Sequence, residues 1–405
     1  MAWRNIWRNP RRTILTLCAI AFASLLLIFM LSFQFGSYET MINSAVKIHT
    51  GHLQIQAVDY HDRKSIRLLV PQPAVIGNVL AKIPQVEAFA FRAEAFSLAS
   101  SQKRTYGVLV TGIDPQREAQ VSKLKKLIRK GEYLTQGDYD QALVGQLLAN
   151  NLKVKIGEEL TILGQGRDGS VAATVVRVKG IYRSGLDAFD RASIHIPLNA
   201  FQDLYNMEGA VHVVVAVGKS LSQVSRIKAL AQKGLSAAGL TSMRVLDWEA
   251  LMPGLREAIE MDLISGLIFY GLLIIVVAFS ILNTFLMAIF ERTREFGVLM
   301  AIGTTPRRLT KLLLIESMSI TILGIVAGVV SGILVTYYFQ VHGIDVSGSS
   351  ELLGQFGISG RMYPKLSGPS ILIGPGMVLI VTFLAALYPA LKVRGLRPVE
   401  AMSSI

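Results

Sequence analysis

Between two long charge-free stretches lies Glu291-Arg292-Thr293-Arg294-Glu295-Phe296-Gly297-Val298-Leu299-Met300-Ala301-Ile302-Gly303-Thr304-Thr305-Pro306-Arg307-Arg308-Leu309. The chemistry of such a segment is recognition, not bond making. A charged turn leads into an apolar run, and Gly303 interrupts it. Thr305 and Pro306 suit the N-cap and first position of a fresh helix. A short amphipathic helix at a membrane surface, with Arg307 and Arg308 exposed, is a docking element for a cytosolic partner. A plain connecting loop would not need so much apolar content.

Other reactive patterns are weaker. Gly164-Gln165-Gly166-Arg167-Asp168-Gly169-Ser170 matches G-x-G-x-x-G. It lies between two strand-like runs, lacks a phosphate-reaching lysine, and is followed by no helical pattern, so a hairpin tip is expected. The six histidines, His49, His52, His61, His195, His212 and His342, show no metal-ligand spacing. No G-x-S-x-G elbow occurs, and Cys18 alone excludes an intramolecular disulfide or a cysteine-rich zinc site. Only Glu316 approaches a charge-free span closely enough to serve proton-driven transport, and its place at the span's start suits pairing with an arginine. No catalytic residue, metal or bound cofactor is expected.

The elements that position the segment are membrane spans. The chain has 405 residues, 51% hydrophobic and only 17% charged, where a soluble domain carries about 25% charge. Thr13–Tyr38, Leu263–Phe290, Ser317–Ile344 and Leu366–Leu391 lack Asp, Glu, Lys and Arg, and each exceeds the roughly 20 residues that cross hydrocarbon. The first is too long for a signal-peptide core and is expected to stay as an anchor. Basic residues cluster before it (Arg4, Arg8, Arg11, Arg12), in the 291–311 segment, and in the tail (Lys392, Arg394, Arg397). The positive-inside rule then makes both termini and that segment cytoplasmic, and places Glu39–Asp262 outside. The net charge of +13 is therefore largely an orientation signal, and nucleic acid is not an expected partner.

Trp3 and Trp7 give the basic N-terminal segment an aromatic face, as in a helix lying in the membrane plane. Gly324, Gly328 and Gly332 recur every four residues and form a smooth stripe for close helix approach. The outer domain alternates like strands at His52–Val58, Val86–Ala99, Tyr106–Gly112, Glu159–Leu163, Ala172–Ile181 and Val211–Val217. Helical periodicity is expected at Pro73–Lys82, Gln116–Lys130, Gln141–Asn150 and Leu221–Ala238, and Asp247–Asp262 as a helix leading into the second span. Two mixed halves flank a β-leaning insert at 131–208.

At Glu291, Arg292, Arg294, Glu295, Gly297, Leu299, Ala301 and Gly303 the sequence resembles the E-R-x-R-E-x-G-x-L-x-A-x-G pattern of the MacB/FtsX-like superfamily of ABC transporter permeases, which includes the LolC and LolE lipoprotein-release subunits. Tyr388-Pro389-Ala390 through Pro398, Glu400, Ala401 and Met402 resembles the family ending, departing at Val393 and Met402. Ala2-Trp3-Arg4-Asn5 and Asn9-Pro10-Arg11-Arg12-Thr13 resemble its opening. The resemblance covers the whole chain.

The resemblance implies a membrane protein with four transmembrane helices, one plus three, and a large extracytoplasmic α+β domain. Its parts are an interfacial helix (1–12), spans at 13–38, 263–290, 317–344 and 366–391, an outer domain at 39–262, a coupling loop at 291–316, a short outer loop at 345–365 and a tail at 392–405. The outer domain divides into a porter-like part (39–130 and 209–262) and a β-rich insert (131–208). It implies a non-enzymatic permease subunit of the bacterial inner membrane, working with a second copy or a paralogue. No Walker A lysine occurs, so ATP and Mg belong to separate cytosolic ATPase subunits. These are expected to act through Glu291, Arg292, Arg294, Glu295, Gly297, Gly303, Pro306, Arg307 and Arg308. The layout is most similar to lipoprotein-release permeases, with lipoprotein cargo and a LolA-like carrier, although the hairpin at Leu163–Val171 is short for gripping one. Efflux, mechanical signalling to a cell-wall hydrolase, and a membrane-anchored sensor without ATPase coupling remain as alternatives.

Overall fold

The computed structural model describes residues 7, 10–345 and 361–393. Helix α1 (Pro10–Ala45) continues as a π-helical turn, Val46–Thr50. Next come β1 (Leu53–Ala57), α2 (Tyr60–Arg63), α3 (Pro73–Ala81), β2 (Val86–Ser100), β3 (Thr105–Ile113) and α4 (Pro115–Val121). These are followed by β4 (Ile128–Gly131), β5 (Gln141–Gly145), α5 (Gln146–Leu152), β6 (Glu159–Gln165), β7 (Val171–Tyr182) and α6 (Asp187–Ala192). Then come β8 (Ser193–Pro197), α7 (Leu198–Leu204), β9 (Val213–Gly218), α8 (Val224–Ala237), β10 (Met243–Asp247) and α9 (Trp248–Leu251). The chain continues through α10 (Pro253–Glu291), α11 (Thr293–Ala301), α12 (Pro306–His342), β11 (Ile344–Asp345), β12 (Arg361–Met362) and α13 (Gly368–Lys392).

The chain forms two units, one from the described parts of Met1–Tyr38, Ala258–Asp345 and Arg361–Ile405, the other from Glu39–Glu257. In the first, α1, α10, α12 and α13 are long and apolar enough to cross a membrane. With no charge along the spans and every backbone group satisfied internally, a helix is the stable form in hydrocarbon. Leu15, Phe22, Val276, Phe279, Leu334 and Leu372 face outward, as lipid-facing side chains do. At 1.5 Å per residue the 39 residues of α10 measure about 58 Å, well beyond the roughly 30 Å of hydrocarbon. The helices therefore overrun the charge-free stretches: α12 begins at Pro306, so the part of the expected coupling loop from 306 to 316 is helical.

Gly324, Gly328 and Gly332 lie along α12 against α1. A Cβ at Gly328 would lie 2.5 Å from the Ala21 carbonyl oxygen, and one at Gly324 2.8 Å from Ile20. Only glycine permits this approach. Of the N-terminal segment, Trp7 is exposed and Pro10–Arg12 already belong to α1, while Trp3 lies outside the described residues, as does the tail beyond Val393.

The second unit is built on one ten-stranded sheet in the order β10-β1-β9-β2-β3-β8-β5-β7-β4, with β6 paired to β2 and β7. The division at 131–208 thus falls within a continuous sheet that has two cores. One, around Ile55, Leu80, Val214 and Ile227, lies under α3 and α8; the other, around Val110, Leu148, Ile162 and Phe201, lies under α5 and α7. The 15-residue β2 belongs to both halves, pairing with β9 through Arg92 and with β6 from Leu98.

Three expected helices differ, Asp247–Asp262 being broken at Met252 (φ −131°, ψ 64°) between α9 and α10. Gln116–Lys130 holds only α4, because Ser122 turns extended (φ −125°, ψ 163°) and a short 3-10 turn then leads into β4. Gln141–Asn150 is a strand followed by a helix. Ala142, Leu143 and Val144 are fully buried between β7 and β8, where an apolar run carries no period, and Gly145 starts α5. The strands Ser193–Pro197 and Met243–Asp247 were not among those expected.

Candidate functional site

The 291–311 segment is a braced elbow within the first unit. Helix α10 stops at Glu291, and Arg292 takes a non-helical conformation (φ −107°, ψ 6°) before α11 starts. At the far end Gly303 has φ +97°, its amide donates to the Met300 carbonyl at 3.1 Å, and the Thr304 amide donates to the Leu299 carbonyl at 2.9 Å. This is a Schellman stop, which needs a left-handed residue at that point. Thr305 then takes the extended N-cap conformation and Pro306 the first helical turn of α12; the Thr305 hydroxyl makes no capping bond.

The inner face of α11 is fixed by packing. Phe296 is 1% exposed and sits with Ile289, Leu309 and Val393, flanked by Leu299, Met300 and Leu313. Gly297 is buried beside it. Three charges of the turn, Glu291, Arg292 and Glu295, are held in ion pairs. Arg292 reaches Glu295 and Glu316, each at 3.3 Å, and lies over the Phe296 ring. Arg12 at the start of α1 meets Glu291 at 2.7 Å, and Thr310 Oγ1 donates to the Ala390 carbonyl at 3.1 Å. The elbow is thereby bound to the ends of all four long helices.

The residues expected to act together thus divide by role. Glu291, Arg292 and Glu295 hold the elbow's shape, Gly303 and Pro306 allow its turns, and Gly297 is a buried position in the middle of α11. Arg294, Arg307 and Arg308 are exposed. Two further residues complete the outer face: Val298 and Ile302 are 48% and 75% exposed. They follow Arg294 at i+4 and i+8, a helical stripe legible in the sequence once the apolar run is taken as helix rather than as a single unbroken patch. A small pocket of about 40 Å³ beneath the ion pairs, lined by Thr16, Ala288 and Ser317, has room for a few water molecules.

The glycine-rich segment is the β6–β7 hairpin tip. Gly169 has φ +92°, and Asp168 accepts from the Ser170 amide at 3.0 Å. No group of three or more metal-ligating side chains occurs among the described residues.

Comparison with known proteins identifies the family. Residues 13–230, more than half of the chain, match the MacB-like periplasmic core domain, and residues 267–398 match the FtsX-like permease C-terminal domain. The chain belongs to the ABC transporter permeases of the MacB/FtsX/LolC type. The permease is 23% identical over 359 residues to the lipoprotein-releasing system transmembrane protein LolC of Xylella fastidiosa, covering 86% of this chain and 82% of that one. It is 25% identical over 425 residues to the macrolide export ATP-binding/permease protein MacB of Wolinella succinogenes, covering the whole of this chain and 60% of that one. The periplasmic region of MacB from Actinobacillus actinomycetemcomitans aligns with 53% of the chain at 15% identity and a TM-score of 0.38. The permease is thus a membrane-spanning protein with an extracytoplasmic domain, and its family works with ABC ATPases.

Proposed function

We propose that the permease converts ATP-driven movement of separate cytosolic ATPase subunits into work by its extracytoplasmic domain, releasing or transferring lipoproteins from the inner membrane. ATP and Mg are held by the partner subunits, and both termini of the permease are cytoplasmic. A second copy or a paralogue completes the transporter. The observation that carries this reading is the elbow. Its outer face offers Arg294, Val298, Ile302, Arg307 and Arg308, while its inner face is bound by ion pairs and Phe296 to the helix ends. A surface that is apolar at its centre and basic at its margin suits a protein partner, and a braced base passes displacement on rather than absorbing it.

Likeness to LolC over most of both chains supports lipoprotein as cargo. The β6–β7 tip at 166–170 is short, which favours a role that does not depend on a carrier gripped there. The second reading is export of small molecules, favoured by the MacB relative that matches the chain from end to end. Purification of the permease from its own membrane tests both. ABC ATPase subunits should co-purify, and Arg307→Glu with Arg308→Glu should lower their recovery at least fivefold. Mass spectrometry of the bound fraction should find acylated protein. Drug-stimulated ATPase activity with no acylated protein would select export, and no associated ATPase would refute coupling.

A further inference from the structure

The densest group of buried charges in the extracytoplasmic domain lies where β2 changes its edge partner. Between Arg92, the last residue paired with β9, and Leu98, the first paired with β6, the Glu94 amide donates to His212 Nδ1 at 2.9 Å. Arg92, 1% exposed, donates from Nε at 2.9 Å and from Nη2 at 2.7 Å to the two carboxylate oxygens of Glu118 on α4. Its third nitrogen, Nη1, donates to the backbone carbonyl of His49, in the π-helical turn that ends α1.

A helix end leaves its last carbonyls unpaired and carries a partial negative charge. Here the carbonyls of the turn are taken up in succession. The Lys123 amide donates to Lys47 at 2.7 Å, Arg92 to His49, and Gln54 Nε2 to Thr50 at 2.8 Å. The His49 ring lies 3.5 Å from Glu94, whose other oxygen accepts from Tyr60 at 3.0 Å and from Lys64 at 3.2 Å. A buried bidentate pair is a weak stabiliser compared with apolar side chains of the same volume. What it supplies is a directional, charge-assisted grip on one acceptor.

We propose that Arg92, held by Glu118, is the seat through which displacement of α1 reaches the sheet, with Lys123, Gln54 and His49 completing the grip. Arg92 and Glu118 are positioning residues for the coupling proposed above, on which this inference rests. A pull on Arg92 acts on β2, and β2 carries both cores.

The test uses the full permease with its ATPase subunits in nanodiscs. Hydrogen exchange is read peptide by peptide with and without ATP and vanadate. In the parent, nucleotide should change exchange both in residues 39–52 and in β2, β6 and β7. The paired substitution Arg92→Met with Glu118→Leu removes the grip without leaving an unpaired buried charge. It should keep ATP hydrolysis within twofold and the change up to residue 45, while the response of the strands falls at least fivefold. If that pair does not fold, Glu118→Gln decides, with an expected two- to threefold loss of the strand response at unchanged hydrolysis. A strand response equal to the parent's in the folded variant would overturn the seat and leave the coupling intact. Hydrolysis without any exchange change in the parent would overturn the coupling and the seat with it.

Discussion

Acidification from pH 7 to pH 5 should weaken the extracytoplasmic domain through three buried imidazoles. His52, His195 and His212 are each 2% exposed or less. Burial pushes His52 down to about 4, with the Lys47 charge acting in the same direction, and His195 down to about 3, with His49 beside it. Burial likewise lowers His212 to about 4, against the opposing hydrogen bond to the Ile66 carbonyl. The geometry agrees: His52 Nδ1 accepts from the Gly218 amide at 3.0 Å and His212 Nδ1 from the Glu94 amide at 2.9 Å, so protonation must break both bonds. The folded domain therefore keeps these rings neutral while the unfolded chain takes up protons below about pH 6.5. Stability is complete above that value and falls as pH drops toward the folded-state values. At pH 5 each ring contributes a loss of about 2 kcal/mol, between about 5 and 6 kcal/mol together.

The buried carboxylates do not act in this window. Burial alone would raise Glu94 and Glu118. For Glu94 the hydrogen bond from His49 and the Lys64 charge outweigh burial, and for Glu118 the Arg92 guanidinium does, so both stay below the usual carboxylate range. Their stabilisation is lost only below about pH 4.5. Urea unfolding of the full chain in detergent, followed by Trp248 emission with Trp3 and Trp7 replaced by Phe, reads the domain directly. With a slope of about 2 kcal/mol per molar urea, the midpoint should fall by about 2–3 M between pH 7 and pH 5. His195→Gln should remove about a third of that shift whatever its effect at pH 7. A midpoint that does not move, or a His195→Gln protein with the full pH dependence, would refute the reasoning.

Three other outcomes are expected. Glu295→Lys reverses a charge facing Arg292, and Gly297→Pro breaks α11 at a cost of about 3 kcal/mol. Both should leave the permease folded by circular dichroism while abolishing permease-stimulated ATPase activity, and unchanged stimulation would count against the elbow. Phe296→Ala removes the buried anchor of α11 and should destabilise the elbow by about 3–5 kcal/mol, seen as faster amide exchange confined to residues around 291–311. Gly328→Leu cannot be accommodated against Ala21 and Ser24, so cysteine cross-linking between α1 and α12 should drop sharply.

The membrane spans were legible because hydrocarbon tolerates few alternatives: a charge-free run of that length has little else to become. The elbow was legible for a different reason, since Gly303 and Thr305-Pro306 are local punctuation. The strand β5 was not. Ala142, Leu143 and Val144 are enclosed on both sheet faces, so their apolar run holds no alternation to separate it from a helix. The five-residue strands at Ser193 and Met243 are fixed by their neighbours and carry too few residues for a period. The Arg92–Glu118 pair left no trace in sequence either. Its members stand 26 residues apart, on a strand and a helix, and only the fold makes them neighbours.

The long strand β2 has a consequence for chimeras with relatives of this permease. One stretch of fifteen residues forms the floor of both cores, with its first half cut to fit β9 and its last residues cut to fit β6. A graft of residues 131–208 alone brings foreign side chains onto a floor shaped for another ceiling. Successful swaps should be those that carry Val86–Ile113 along with the insert, and lineages that trade specificity by exchanging this region should have exchanged that ribbon with it.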